Sequence, residues 1–374
     1  PDTRPTLDLN FAATKRLDPR IAYTRDSTGT FVGSNGLIQS AAVNQARFDH
    51  NPLTGESLGL LVEEARTNLV TYSEQLNNVA WSSISTGTPV VTLNALAAPD
   101  GTITGDLIVG NNINTWIANN AGAVSAGQYS FSVWLKSDIA QTADIFMSFG
   151  VTDTLTCSVT TSWQRFTLTA TRAATAGLFA GINVGNAKNI YVWGAQLEAG
   201  SFPTSYIPTV ASTVTRAADV ASITGSNFSS WYNQSEGSLF VAAQANSAAT
   251  NPMLAAFRTA ADSSAEYIVT AILSSGVTQY AGSTGDVNQW LLNNSDSATL
   301  SKKTAHAWKI NSIGGCSNGG TVLTDNSATI SAVLDRLYLG RLYGSTSQLN
   351  GTIARLTYYP VRLPDATLQA LTAS

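Results

Sequence analysis

Two adjacent carboxylates and a nearby guanidinium, Glu63, Glu64 and Arg66 in GLLVEEARTNL at 59–69, are the first residues whose types suggest chemistry. A pair of acids is what glycoside hydrolysis uses, one acid protonating the leaving oxygen while the other serves as nucleophile or base. Neighbours on an extended strand project to opposite faces, so these two do not converge on one substrate atom. The same residues suit a joint, in which one carboxylate pairs with Arg66 or with Arg47 or Arg25 while Leu60, Leu61 and Leu69 anchor the chain on either side. The joint is the preferred reading, because ion pairs are a common alternative to functional acids, and such a pair fixes geometry more than it adds stability. His50 and His306 have no neighbouring nucleophile that would complete a triad, and no catalytic residue is assigned.

Sugar binding asks for an aromatic face plus amides and carboxylates for the hydroxyls. Of eight tryptophans, Trp81, Trp134, Trp163 and Trp193 read as core packing. Trp116 lies in VGNNINTWIANNAG, where Asn111, Asn112, Asn114, Asn119 and Asn120 both donate and accept. That stretch reads equally as an Asn-rich turn with its Trp folded inward. A second amide-flanked group, Asn288, Gln289 and Trp290, lies in GDVNQWLLNNSDS, and SSWYNQSEG adds Trp231 and Tyr232. Of the two later tryptophans, Trp290 is the stronger glycan candidate.

The elements that must position these residues are strands. Helical periodicity is scarce, whereas period-two alternation recurs between Gly, Asn and Ser turns. YSFSVWL at 129–135 sets Tyr129, Phe131, Val133 and Leu135 on one face against Ser130, Ser132 and Trp134 on the other. QRFTLTA and NIYVWGAQL repeat that logic, and the two prolines of SFPTSYIPT close the series. A second series runs from SLFVAAQ through EYIVTAIL and DRLYLGR to TIARLTYYP. The fold class expected is all-β: two β-sandwich (jelly-roll) domains over 69–208 and 223–374, a linker over 209–222, and a short β-rich attachment segment over 1–68. RLPDATLQALTAS reads as a short C-terminal helix, with Pro364 and Asp365 at its start and Leu368 and Leu371 on one side.

Charged residues make up 12 % of the chain, about half the usual 25 %, so neutral polar side chains cover the surface. With 20 basic against 24 acidic residues the formal charge is −4. No basic footprint favours nucleic acid. The longest uncharged stretches are broken by Gly and Asn and fall short of the roughly 20 apolar residues of a membrane span, so no membrane insertion is expected. The start, PDTRPTLDLNF, lacks the basic and apolar parts of a secretory signal. Cys157 and Cys316 sit in no metal-binding spacing and read as buried free thiols.

RFDHNPLTGESLGLLVEEARTNLVTYSE at 47–74, VWGAQLEAGSFPTSYIPT at 192–209, VTRAADV at 214–220 and LNGTIARLTYYPVRLPDATLQALTA at 349–373 together resemble bacteriophage tail proteins of the fibre or receptor-binding type. Such proteins combine an attachment segment, a carbohydrate-binding-module-like jelly roll and a concanavalin A-like lectin domain. The resemblance implies a virion component on the phage tail that binds host surface polysaccharide, contacts other virion tail proteins and forms a homo-oligomer, a trimer by preference. Concanavalin A-like folds also host glycosidases whose active strand carries Glu-x-Asp-x-Glu or a close variant. That triplet is missing here, and Glu236 and Glu266 stand alone. Both module families commonly bind structural calcium through loop oxygens. Glu74 lies near the start of the first sandwich, but the closing strand VWGAQLE departs from the acidic pattern, which counts against the ion there. Asp286, Asp296 and Asp325 can serve as ligands in the second domain or as plain turn residues. The alternatives to a tail adhesin are a tail-spike depolymerase and an architectural capsid or baseplate decoration protein.

Overall fold

The computed structural model describes residues 4–83, 87–149, 151–248, 250–259, 266–295, 299–330, 333–342 and 347–373. The chain forms two compact units: one of Pro1–Gly36, Ala41–Glu64 and Ala217–Ser374, the other of Leu37–Ser40 and Ala65–Arg216. Both are built of antiparallel strands, as the alternation predicts.

The inserted unit packs two five-stranded sheets. One runs Gln164–Arg172, Gly127–Lys136, Asn189–Ala199, Gly105–Val109, Val90–Leu96, and the other Val151–Val159, Gln141–Phe149, Ala176–Asn183, Trp116–Val124, Trp81–Ser83. Phe131, Val133 and Leu135 of the first sheet are buried against Ile117, Ile145, Met147 and Ile182 of the second. Trp134, on the opposite face, packs edge-on against Trp193 and Tyr206. The Pro-flanked closing turn is hooked to the sheet by buried polar groups. Gln196 accepts from the Ile207 amide at 2.6 Å, Glu198 accepts from the Thr204 amide and hydroxyl at 2.9 and 2.5 Å, and Asn68 donates to the carbonyls of Ala195 and Ile207. Each buried donor and acceptor thus finds a mate where the prolines forbid a ladder.

The second unit packs an eight-stranded sheet on a seven-stranded one. Leu60, Leu239, Leu356 and Trp308 of the first meet Ile223, Phe257, Ile268 and Leu337 of the second. The terminal helix, Asp365–Ala373, lays Leu368 and Leu371 beside Ala305, Ala307 and Cys316. The leading 68 residues do not form a segment of their own. The strand Gly351–Tyr359 takes two partners along one side: Leu7–Asn10 pairs with its residues 355–358, and the strand Ser57–Val62 pairs with its residues 351–353. Gly59 permits the second contact, with φ +98° and a would-be Cβ only 2.1 Å from the Ile353 carbonyl oxygen. The stretch expected as a linker is likewise β: Val214–Arg216 pairs with Arg66–Asn68, and Val220–Thr224 belongs to the seven-stranded sheet.

Candidate functional site

The carboxylates of the opening motif diverge. Glu63 is buried and binds Arg47 at 2.9 Å, while Glu64 is half-buried and its amide donates to Asn350. Arg47 also binds Asp219 at 2.5 Å, and that carboxylate accepts from Tyr23, from Arg25 at 3.2 Å and from the Glu63 amide at 2.8 Å. The Arg66 guanidinium lies over the Phe202 ring and donates to the Ala199 carbonyl. Asp49 adds a third carboxyl, whose pKa burial pushes up to about 6 against the hydrogen bond it accepts from the Val32 amide. Glu63 and Asp219 are at most 1 % exposed, so these acids line no groove that a polysaccharide can enter. The network is a joint.

The outer face of the sheet carrying Trp116 is different. Three rows of side chains cross four strands on the side away from the core, each row set by the register of the sheet. The first row is Trp116, Asn183, Asp144 and Thr156. The second is Ala118, Gly181, Phe146 and Thr154. The third is Asn120, Phe179, Ser148 and Thr152. Trp116 is half-buried, its ring 4.6 Å from that of the fully buried Phe146. Phe146 presses on Gly181, where an added Cβ would stand 2.7 Å from the ring and 2.2 Å from the Ile117 carbonyl oxygen. Trp116 thus leans across the second row onto Phe146, and Asn120 and Phe179 stand in the third.

Polar groups flank the rings on this face. Asp144 accepts from Thr156 at 2.7 Å, Ser148 and Thr152 share a bond of 3.0 Å, and Lys188 donates to the hydroxyl of Thr142 at 2.9 Å. Beyond the first row opens a cavity of about 320 Å³ lined by Asn114, Thr142, Asp144, Asn183, Asn186 and Lys188. The face therefore offers an aromatic ring, an amide, a carboxylate and a bank of hydroxyls on strands, with the Lys188 ammonium and the amides of Asn114 and Asn186 on adjoining turns.

The expected Asn cluster splits. Asn112 closes its own turn by accepting from the Asn114 amide, and Asn111 donates to the carbonyl of Thr88. Asn119 points into the sandwich, 1 % exposed, and donates to the Thr71 carbonyl, so it is corrected from ligand candidate to structural residue. Asn114 reaches the cavity and Asn120 the third row. Sequence reasoning missed Asp144, Asn183, Phe179 and Thr156; the alternating hydroxyls of VTDTLTCSV are the signal that marks their face.

The second predicted group also divides. A bulge opposite Gly282 and Ser283 turns Trp290 inward. It is 3 % exposed and donates its indole N–H to His306 Nε2 at 3.0 Å, so it is corrected from platform to core. Burial holds that imidazole neutral, its pKa pushed down to about 3. Gln289 is tied to Thr329. Asn288 faces outward and accepts from the Tyr267 hydroxyl at 2.8 Å, beside a second cavity of about 380 Å³ floored by Met253, Val269 and Ala281 and bordered by Arg258 and Gln279. Trp231 and Tyr232 are buried in the aromatic core with Phe228, Phe257 and Tyr358.

Among the described residues no three His, Cys, Asp or Glu side chains converge as a metal needs. Burial pushes the Glu74 carboxyl up against its bond from Tyr206, and Asp106 is taken by the amides of Leu76 and Asn94; neither environment fits a calcium ligand. Asp325 caps its own turn, and Asp296 lies outside the described residues.

No protein-family model matches the chain, and no curated protein matches it. Among solved structures it is similar to the Ruminococcus gnavus IT-sialidase CBM40 (16 % identity, 40 % of this chain and 88 % of that one, TM-score 0.35). It is also similar to the N-terminal CBM22-1–CBM22-2 tandem domain of Paenibacillus barcinonensis Xyn10C (10 %, 82 % and 99 %, 0.29) and to the tail fiber protein gp63.1 of an E. coli phage (11 %, 81 % and 41 %, 0.25). At these identities and TM-scores the likenesses say nothing of ligand or role.

Proposed function

We propose that the protein is a non-enzymatic glycan-binding protein whose working surface is the outer sheet face around Trp116, and that it serves as an adhesin on a phage tail, engaging host surface polysaccharide alongside other virion proteins. The observation that supports the binding role is the row Trp116, Asn183, Asp144 and Thr156 held in register across four strands. A sugar ring laid along it places an apolar C–H face on the indole and its hydroxyls against the amide, carboxylate and hydroxyl. The virion role rests on the sequence resemblance. Shallow sites of this kind bind weakly one at a time, and copies on one particle raise the avidity without any new contact.

A glycan array followed by calorimetry on the strongest hit tests the binding role. Trp116→Ala and Asp144→Asn are each expected to weaken binding about 10–100-fold, the range of a central contact residue, with the circular dichroism of Asp144→Asn unchanged. Undiminished affinity in both folded variants refutes the assignment. Release of reducing ends from the bound polysaccharide by the purified protein refutes the non-enzymatic part. Immunogold labelling of virions away from the tail refutes the location.

A further inference from the structure

The strand Val151–Val159 forms one edge of the sheet that carries Trp116. All nine of its residues pair in unbroken register with Gln141–Phe149 on one side. Such an edge presents a row of backbone donors and acceptors, and proteins usually blunt it with a bulge, a proline, a lysine or shortness. The other edges of the two five-stranded sheets follow that rule. Trp81–Ser83 has three residues, Val90–Leu96 pairs through a register shift, and Gln164–Arg172 carries two arginines. VTDTLTCSV has no bulge, proline, lysine or arginine and is nine residues long. Its one charge, Asp153, is neutralised at 2.8 Å by Arg172. It also exposes apolar surface, Val151 at 73 % and Leu155 at 37 %.

The strand is self-complementary. Laid antiparallel against a copy of itself with Leu155 on the twofold axis, it sets Thr154 opposite Thr156, Thr152 opposite Ser158, Asp153 opposite Cys157 and Val151 opposite Val159. Hydroxyls meet hydroxyls on the outer face, Val151, Leu155 and Val159 meet their mates on the inner one beside the two Asp153–Cys157 pairs, and no like charges oppose each other. Cross-strand Thr pairs are among the favourable ones, and an isologous contact of this kind closes as a pair.

We propose that two copies of this chain associate edge to edge through Val151–Val159, fusing two five-stranded sheets into one of ten strands. The twofold axis stands perpendicular to the sheet, so both Trp116 faces come to lie on the same side of a continuous surface. This pair differs from the threefold assembly that the resemblance implies, and it does not depend on what the face binds.

The test uses the full chain. Sedimentation at tens of micromolar is expected to give twice the monomer mass, and Leu155→Lys to weaken association about 100-fold through two facing charges. Leu155→Cys supplies an independent readout, since opposed Cα atoms in an antiparallel pair lie about 4.5–5.5 Å apart, within disulfide reach. Under mild oxidation it is expected to give a covalent dimer faster than Val287→Cys, a more exposed control on the other unit. A wild-type mass of one or three chains, or equal cross-linking of the two cysteine variants, overturns the proposal.

Discussion

Replacing Asp219 by Ala tests whether the acids around residue 63 hold the fold or perform chemistry. The substitution removes the acceptor of Tyr23, Arg25, Arg47 and the Glu63 amide at once. Arg47 keeps Glu63, while Arg25 keeps the carbonyls of Ser27 and Ala42 and loses its anionic partner. Breaking a buried pair by removing one member costs about 3–5 kcal/mol, because the remaining charge stays desolvated. A domain's whole stability is about 5–15 kcal/mol, so the loss is a large share of what this unit has. With a urea dependence of about 2 kcal/mol per molar, the midpoint falls by about 1.5–2.5 M. The assay is urea unfolding read by hydrogen exchange and mass spectrometry, which reports each unit through its own peptides. Glu236–Ala245 and Gly351–Tyr359 should lose protection at the lower urea concentration, and Gly127–Lys136 should hold to the wild-type midpoint. Glu64→Gln, at a half-buried position, should shift the midpoint by less than about 0.3 M. A midpoint for Asp219→Ala within about 0.5 M of wild type would show that the network does not hold the unit together.

His306 is neutral in the fold with its pKa pushed down to about 3 by burial, below the usual 6.5 or so. A depressed value of this kind supplies stability that is present above pH 6.5 and lost as the pH falls toward 3, so the midpoint of this unit should drop on acidification and the drop should shrink in His306→Gln. Asp49 acts in the opposite sense. Its raised value of about 6 means that its contribution is complete below about pH 4 and lost as the pH rises through 6, and Asp49→Asn should remove that loss in a pH series of unfolding midpoints. Gly181→Ala should destabilise the inserted unit by about 1–3 kcal/mol, because the added methyl meets the Phe146 ring and the Ile117 carbonyl. An unchanged melting temperature would mean the sheet yields there. Burial pushes the Cys157 thiol up to about 11, so maleimide should leave it unlabelled at pH 7 until the chain unfolds.

Alternation carried most of the local structure. YSFSVWL buries the residues its period assigns to the core, and RLPDATLQALTAS makes the terminal helix with Leu368 inward. Pairing across sequence distance had no local signature. LDLN at 7–10 forms a strand, but nothing in its neighbourhood shows that its partner lies about 350 residues later. The site divides the same way. Trp116 stands out because amides surround it, yet those amides mostly tie their own turn or point inward, and its working partners Asp144 and Asn183 come from strands joined only by register. Trp290 has the same amide-rich setting, and one bulged residue reverses the face it presents.

The Asp219 amide donates to the Glu63 carbonyl at 2.9 Å, so the points where the chain leaves the eight-stranded unit and returns to it are bonded neighbours. A short splice can therefore bridge 63 to 219 without redrawing either sheet, which makes residues 65–216, all of the inserted unit but Leu37–Ser40, a cassette that recombination can remove or exchange. The arrangement also orders biosynthesis: the cassette is complete when its last strand leaves the ribosome, whereas Leu7–Asn10 must wait for the final strand before its ladder can form.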